Sequence, residues 1–426
     1  MVNNNYFSLM RTLYNLLSKI TYAHLQIAQG FSKKLKLFVQ GRKNTFPTLS
    51  SQIKPNDKTI WLHCASLGEF EQGVPIIEAL RLSFPDCKIL VTFFSPSGYE
   101  IKKNTSLADT VVYLPFDTQK NARQFLSITQ PVLALFVKYE IWPNYLFELK
   151  ERQIPTLLVS GLFAKKQVFF KSHGAFMRKA LLSFDHFFVQ DRNSEELLRS
   201  LNIDAVTLSG DTRFDRVSHQ IEQDNTLDFM EAFKGDSLCV VCGSTWPEDE
   251  EALLSSINSK ESSIKFVLAP HKIEPSKIDA FKKRLTKPSV LYSEREDKEL
   301  NSYSVLILDT IGLLSKTYSY ADIAYVGGAM GTTGLHNILE PATFGIPIII
   351  GKNFDDFPEA KKLQQLAGLF SISSETECKR VLDKLIAHKD FRNTTGMICG
   401  HFVNSNTGAT RIIMAHISKL YGNRLV

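Results

Sequence analysis

The chain has 426 residues, a net charge of +6, 44% hydrophobic side chains, 22 glycines and 16 prolines. At roughly 100–200 residues per domain, this length predicts two or three compact domains. The ordinary apolar and charged fractions exclude a disordered tail protein, a collagen-like chain and a polytopic membrane protein.

The first predicted element holds all of the excess charge. Residues 1–48 carry Arg11, Lys19, Lys33, Lys34, Lys36, Arg42 and Lys43, and the first acid is Asp57. Without those seven bases, 43 Lys and Arg face 44 Asp and Glu, a balance of −1. The basicity is therefore local and does not support a globally basic nucleic-acid-binding surface. Tyr6, Phe7, Leu9, Met10, Leu13, Leu16, Leu17, Ile20, Leu25 and Ile27 recur near helical spacing, broken by Arg11, Lys19 and His24. The breaks argue against a spanning helix, which needs about 20 predominantly apolar residues. No small-residue cleavage site marks a secretory leader. Two readings stay open. An amphipathic helix lies in the headgroup region with Lys33, Lys34, Lys36, Arg42 and Lys43 facing anionic lipid, or the helix packs on its own domain.

Residues 58–210 then alternate strand and helix signals, within a first domain over 49–215. The apolar runs 59–65, 88–94, 110–114, 132–137, 156–159 and 186–189 predict short buried strands, with helices over 73–83, 119–129 and 142–152 between them. Such alternation predicts a parallel sheet covered on both faces. A polar stretch read as a hinge over 216–235 precedes a second series at 238–243, 264–269, 289–292, 304–308, 323–327 and 347–350. Its helical patterns cover 248–258, 277–284 and 357–365, and the second domain runs over 236–409. The expected architecture is two tandem doubly wound α/β domains, with a helix over 410–426 that can cross back to the first. Ligands of open parallel sheets bind beyond the carboxyl ends of the strands, so two such domains facing one another predict a cleft with one rim from each. The six cysteines, Cys64, Cys87, Cys239, Cys242, Cys378 and Cys399, are too few for a disulfide framework and read as reduced thiols. Cys239 and Cys242 point to opposite faces of a strand and cannot share a metal.

The residues after the strands carry the chemistry. Gly68 and Glu69 follow the first strand, and Glu140 follows the strand over 132–137. Two carboxylates at neighbouring strand ends suit proton abstraction from a hydroxyl, one as the base and one orienting it. Each also reads as an ordinary acid favoured by a helix N-terminus. In the second domain, Gly327-Gly328-Ala329-Met330-Gly331-Thr332-Thr333-Gly334-Leu335-His336-Asn337-Ile338-Leu339-Glu340 follows a strand and leads into a short helix that Asn337 is expected to cap. Backbone N–H groups there suit a phosphate, and Glu340 suits a ribose hydroxyl. The glycine spacing is neither a dinucleotide fingerprint nor a P-loop. Ser244-Thr245, Pro270-His271-Lys272 (offering cations to an anion) and Asp309-Thr310-Ile311-Gly312 end three further strands on the same rim.

Taken in order, these segments resemble the 3-deoxy-D-manno-octulosonic acid (Kdo) transferases, over residues 35–421. The most specific pieces are Ser66-Leu67-Gly68-Glu69, Phe136-Val137-Lys138-Tyr139-Glu140-Ile141-Trp142-Pro143, Gly210-Asp211-Thr212-Arg213-Phe214-Asp215 and His336-Asn337-Ile338-Leu339-Glu340-Pro341. The resemblance implies a glycosyltransferase of the GT-B architecture, with two Rossmann-like domains, the first of them acceptor-binding. It implies CMP-Kdo as a co-substrate donor, a lipid A precursor as acceptor, no cofactor, no metal site, and attachment to the cytoplasmic face of a bacterial inner membrane. Glu69 matches the general base of the family and Glu140 its second acid. Ser244, Thr245, His271, Lys272, Asp309, Thr310, Gly312, Gly327, Gly328, His336, Asn337 and Glu340 match its CMP-binding side. Two segments depart from the family pattern: Ala269-Pro270-His271-Lys272-Ile273 replaces an Arg-His-Pro-Glu-Arg-like stretch, and Gly334-Leu335-His336-Asn337 replaces Gly-Gly-His-Asn. The rival readings are a GT-B enzyme that uses a UDP-sugar, as transferase or epimerase, and a membrane-bound sugar-nucleotide-binding protein without turnover.

Overall fold

A computed structural model of the protein describes residues 4–259 and 263–425. Residues 1–3 and the side chain of Tyr6, both in the basic N-terminal segment, lie outside the described set, as does Val426. The chain forms two compact units, one from residues 1–216 and 407–426, the other from 217–406.

Unit 1 is built on seven parallel strands: β1 (Thr59–Cys64), β2 (Lys88–Phe93), β3 (Thr110–Tyr113), β4 (Pro131–Val137), β5 (Thr156–Gly161), β6 (His186–Val189) and β7 (Val206–Leu208). Their order is β3-β2-β1-β4-β5-β6-β7. Both faces are covered, so the strands read as continuous apolar runs. Trp61, Leu90, Ala134, Phe136 and Leu158 pack into one core, and Ile60, Leu62, Val91, Leu135 and Val137 into the other.

Unit 2 has β8 (Leu238–Thr245), β9 (Ile264–Pro270), β10 (Ser289–Leu291), β11 (Val305–Ile307), β12 (Ile323–Val326), β13 (Ile348–Gly351) and β14 (Leu369–Ile372), in the parallel order β10-β11-β9-β8-β12-β13-β14. The α/β class with two parallel sheets is the one expected from the alternation. The runs missed two strands, β7 and β14, each at a sheet edge with one partner. Val206-Thr207-Leu208 buries only its first residue, and Phe370 and Ser371 are only half-buried, so neither segment carries a continuous apolar signal.

Three helices open the chain: α1 (Asn4–Ala28), α2 (Lys33–Gly41) and α3 (Thr45–Gln52). One face of α1 packs on unit 1. Phe7 meets Phe147 and Phe176, Tyr22 meets Phe116, and the Tyr14 hydroxyl donates to Asp117 Oδ2 at 2.8 Å. Asp117 also accepts from the N–H groups of Asn144 and Tyr145 at the start of the helix Pro143–Glu151. Burial pushes its carboxyl up to about 6, against the pull of those donors. A second face stays open: Leu9, Leu13, Leu16, Leu17, Ile20 and Ile27 are between 44% and 77% exposed, and Phe31 beyond the helix is 89% exposed. No described helix is long and apolar enough to cross a membrane.

Arg42 corrects one expectation. Instead of facing lipid it is buried, donating to the carbonyls of Phe38, Phe94 and Leu114, with its guanidinium 3.8 Å from the Phe38 ring centre. Flanked by Phe94 and Tyr113 as well, it fastens the N-terminal helices to the sheet. Lys33, Lys34, Lys36 and Lys43 are exposed.

The segment Gly210–Asp215 acts as a clasp. Thr212 Oγ1 lies 2.7 Å from Ser160 Oγ and donates to the Gln72 carbonyl. Asp215 accepts from the N–H groups of Gly408 and Thr410 at the start of the C-terminal helix Ala409–Leu425. That helix lays Ile413, Met414, Ile417 and Leu425 into the second core of unit 1.

Candidate active site

In unit 1 the strand order reverses at β1, which has β2 on one side and β4 on the other. A crevice forms beyond the carboxyl ends at such a switch point, and Glu69 and Glu140 follow those two adjacent strands. The helix after β1, α4, spans Leu67–Ser83 and begins six residues before the Gly73 start the periodicity predicts. Gly73 and Pro75 mask the early turns in the sequence. Gly73 brings the helix close to the sheet, where a Cβ would stand 3.1 Å from the Leu62 side chain.

Glu69 is 7% exposed, and its Oε2 accepts from the N–H groups of Ala65 and Ser66, the reciprocal half of a capping box. Oε1 takes no hydrogen bond among the described residues. A helix cap alone would leave an ordinary acid. Here burial and then the Glu140 charge push the carboxyl up to about 7, against the Ala65 N–H, Lys138 and the Ser66 N–H. Such a group is half in its basic form near neutrality, the condition for a general base.

Glu140 sits in a network absent from the sequence reading. The Trp142 indole N–H faces Glu140 Oε2 at 2.9 Å and His63 Nε2 at 3.0 Å, and His63 Nε2 lies 3.4 Å from the same carboxylate oxygen. His63 is fully buried on β1, with Nδ1 2.8 Å from Thr92 Oγ1, which accepts from the Trp61 indole. The available signal was a histidine in an otherwise apolar strand. Lys138, at the end of β4, has φ +69°, a left-handed conformation rare for a side-chain-bearing residue and frequent at functional sites.

In unit 2 the corresponding reversal lies at β8, between β9 and β12. Ser244 and Thr245 end β8, Gly327 and Gly328 follow β12, and His271 and Lys272 follow β9. Ser244 adopts φ +54°, at the point where the β8–β9 register shifts. The glycine loop folds back tightly: a Cβ on Gly327 would stand 2.4 Å from the Ser244 carbonyl, and one on Gly328, at φ +96°, would stand 2.1 Å from the Gly334 carbonyl.

Asp249 holds this loop, another residue the sequence reading missed. Fully buried, it accepts from the Tyr325 hydroxyl at 2.8 Å, the Gly328 N–H at 2.8 Å and the Trp246 N–H at 2.9 Å. In the sequence it looks like one of three acids, Glu248, Asp249 and Glu250, at a helix start, and nothing separates it from its neighbours. Thr245 donates to Glu250.

His336 and His271 come together with Trp246. Trp246 stacks on His271 at 4.7 Å, His271 lies 4.4 Å from His336, and Lys272 Nζ is 5.0 Å from the Trp246 ring centre. Of the cations expected at this rim, His271 is held towards its neutral form, and so is His336 beside it. Burial and then Lys272 lower His271, while burial and then His271 lower His336 to about 4. Lys272 is the positive group of this trio.

The expected Asn337 cap is displaced by one residue. The helix is the five-residue Leu339–Thr343 with Ile338 at its N-cap, yet Asn337 Oδ1 still accepts from the Leu339 N–H, and its amide donates to Glu340 Oε1. Glu340 Oε2 accepts from Ser315. Asp309, Thr310 and Gly312 follow β11, the strand next to β9. Both Asp309 oxygens are engaged by Ser293, and the loop at Thr310–Gly312 is open to solvent, with Ile311 84% exposed.

A family model described as 3-Deoxy-D-manno-octulosonic-acid transferase (kdotransferase) matches residues 34–216. The chain is 26% identical over 377 residues to the 3-deoxy-D-manno-octulosonic acid transferase of Haemophilus influenzae, covering 84% of this chain and 86% of that protein. Identity to the Aquifex aeolicus protein of the same name is 28% over 356 residues, covering 82% and 91%. Among solved structures, UDP-GlcNAc 2-epimerase from Neisseria meningitidis bound to UDP-GlcNAc superposes with a TM-score of 0.63 at 15% identity, over 85% of this chain and 100% of that one. MurG of Acinetobacter baumannii gives 0.53 at 11%, with the same coverage. At these identities the structural likeness is one of fold.

Proposed function

The chain belongs to the 3-deoxy-D-manno-octulosonic acid transferase family of glycosyltransferases, and we propose that it moves Kdo from CMP-Kdo to a sugar hydroxyl of a lipid A precursor, with Glu69 as the general base. One observation carries this reading: a buried carboxylate at a sheet switch point, poised near neutrality, with one oxygen tied to the backbone and the other open.

The acceptor hydroxyl has a pKa far above neutrality and must lose its proton as it attacks. Glu69 takes that proton while the new bond forms at the anomeric carbon of Kdo. The bond from that carbon to the phosphate oxygen breaks on the opposite side, CMP departs, and the configuration inverts. Unit 2 would hold the nucleotide, with the N–H groups of the glycine loop turned to the single phosphate and Glu340 to the ribose. Ser244, Thr245, Lys272, His336 and Asn337 belong to that side, and no cofactor or metal is assigned a role.

The test is mass spectrometry of the product formed from CMP-Kdo and a tetraacylated lipid A precursor. A product heavier by whole Kdo units is expected. Turnover with a UDP-sugar and none with CMP-Kdo would overturn the donor assignment.

The Glu140 charge sets the pH response. Glu69 works deprotonated, so activity should rise through a folded-state pKa of about 7. Glu140→Gln removes a charge that raises this pKa, and the acidic limb of the kcat/KM profile should move to lower pH. An unmoved or alkaline-shifted limb would separate the two carboxylates.

The open face of α1 and the four exposed lysines suit attachment to the cytoplasmic face of an anionic inner membrane. Replacing Leu13, Leu16 and Ile20 with serine should sharply reduce flotation with anionic liposomes at an unchanged melting temperature, since all three are exposed. Flotation at the wild-type level would place the attachment elsewhere.

A further inference from the structure

Trp246 has no role in the reaction described above, yet its indole makes the one polar contact that decides which nitrogen of His336 carries hydrogen. The Trp246 Nε1–H points at His336 Nε2 at 3.1 Å. An indole N–H can only donate, so Nε2 presents its lone pair and the hydrogen of the neutral ring sits on Nδ1. The ring is held in this orientation. Its backbone N–H donates to the Gly327 carbonyl, and its Cδ2, next to Nε2, faces Gly328 so closely that a Cβ there would stand at 3.0 Å. The opposite edge, bearing Nδ1, has no partner among the described residues, and the ring is partly exposed.

Resting on the reading that unit 2 holds the donor nucleotide, we propose that Trp246 is a positioning residue. It locks His336 as the Nδ1–H tautomer, so that His336 meets an oxygen of the donor phosphate as a neutral hydrogen-bond donor rather than as a cation.

Protonating Nε2 would set two N–H groups head to head across the Trp246 contact, so the imidazolium costs that bond. The surroundings act in the same direction. The His271 ring lies 4.4 Å from His336 and stacks on Trp246, and Lys272 approaches the same indole. The acids nearby are held by other groups: Asp249 by Trp246, Gly328 and Tyr325, Glu250 by Thr245, and Glu340 by Ser315 and Asn337, while Glu248 lies beside Gly331. A neutral donor offers a phosphate direction without fixed charge, and it leaves Lys272 as the cation of the cluster.

The experiment is two-bond proton–nitrogen correlation on the full-length protein with 15N-labelled histidine, the His336 signals being identified by their loss in His336→Gln. Ligand-free wild type should show the Nδ1–H pattern across the neutral range. In Trp246→Phe the ring should exchange between tautomers and titrate nearer the ordinary histidine value of about 6.5. Calorimetric titration with CMP supplies the second arm, read as the ratio of variant to wild-type affinity at each pH, in which ionisation of CMP's own phosphate cancels. That ratio should show a loss of about threefold to tenfold at mildly alkaline pH and recover on acidification, as the freed imidazole charges. A wild-type ring with hydrogen on Nε2, or charged at neutral pH, overturns the proposal, and so does a ratio of one at every pH. The wild-type spectrum decides by itself if Trp246→Phe fails to fold. Failure of CMP to bind the wild type would instead defeat the nucleotide reading and leave the tautomer measurement standing.

Discussion

Glu69→Gln is expected to lower kcat by about a hundredfold to ten-thousandfold, the range for removing a general base, and to leave CMP binding intact. The substitution is nearly isosteric, and a glutamine three residues after a serine cap can still accept from the Ala65 and Ser66 N–H groups. Helix α4 therefore keeps its start, and the melting temperature should hold. What is lost is the ability to take a proton. Burial and the Glu140 charge serve that ability by lifting the carboxyl to about 7. An ordinary surface glutamate, ionised far below neutrality, would be a weaker acceptor. Product formation at saturating donor and acceptor measures the effect, and a rate within a few-fold of wild type would remove Glu69 from its role.

Asp249→Ala should strike the other half of the chemistry through structure. The side chain accepts from Tyr325, Gly328 and Trp246 in a fully buried setting. Each buried donor left without a partner costs about 1–3 kcal/mol. The charged acceptor already bears a burial cost, which raises its pKa and offsets part of the loss. A net cost of about 3 kcal/mol corresponds to a drop of about 6–12 °C in the melting temperature for a unit of this size. CMP affinity should fall with it, because Gly328 and Trp246 are both released. Calorimetry of unfolding and of CMP binding checks both. A stable variant that binds CMP normally would show that the loop holds its shape without Asp249.

The strands in the middle of each sheet were legible because burial on both faces writes uninterrupted apolar residues into the chain, as in Ile60–Leu62 and Ile348–Ile350. The edge strands β7 and β14 carry no such run. Strand-end positions were legible too: Glu69 and Glu140 follow strands of the first sheet, and His271 and Gly327 follow strands of the second. What local pattern could not reveal is long-range pairing. Arg42 reads as one more surface base until four aromatic rings close around it. His63 reads as a core residue until Trp142, 79 positions later, reaches it. Asp249 looks like a helix-start acid until it meets Gly328, again 79 positions on. Asp309, promising in the sequence, is occupied by Ser293.

The return of residues 407–425 to the first unit bears on how the molecule is made. A ribosome must complete residues 217–406, a contiguous block able to close by itself, before it supplies the helix that seats Ile413 and Ile417 in the earlier core. The half synthesised first is thus the half finished last. A nascent chain stalled before Gly408 would carry a closed second unit joined to a first one whose hydrophobic interior is still uncovered, a natural target for chaperones.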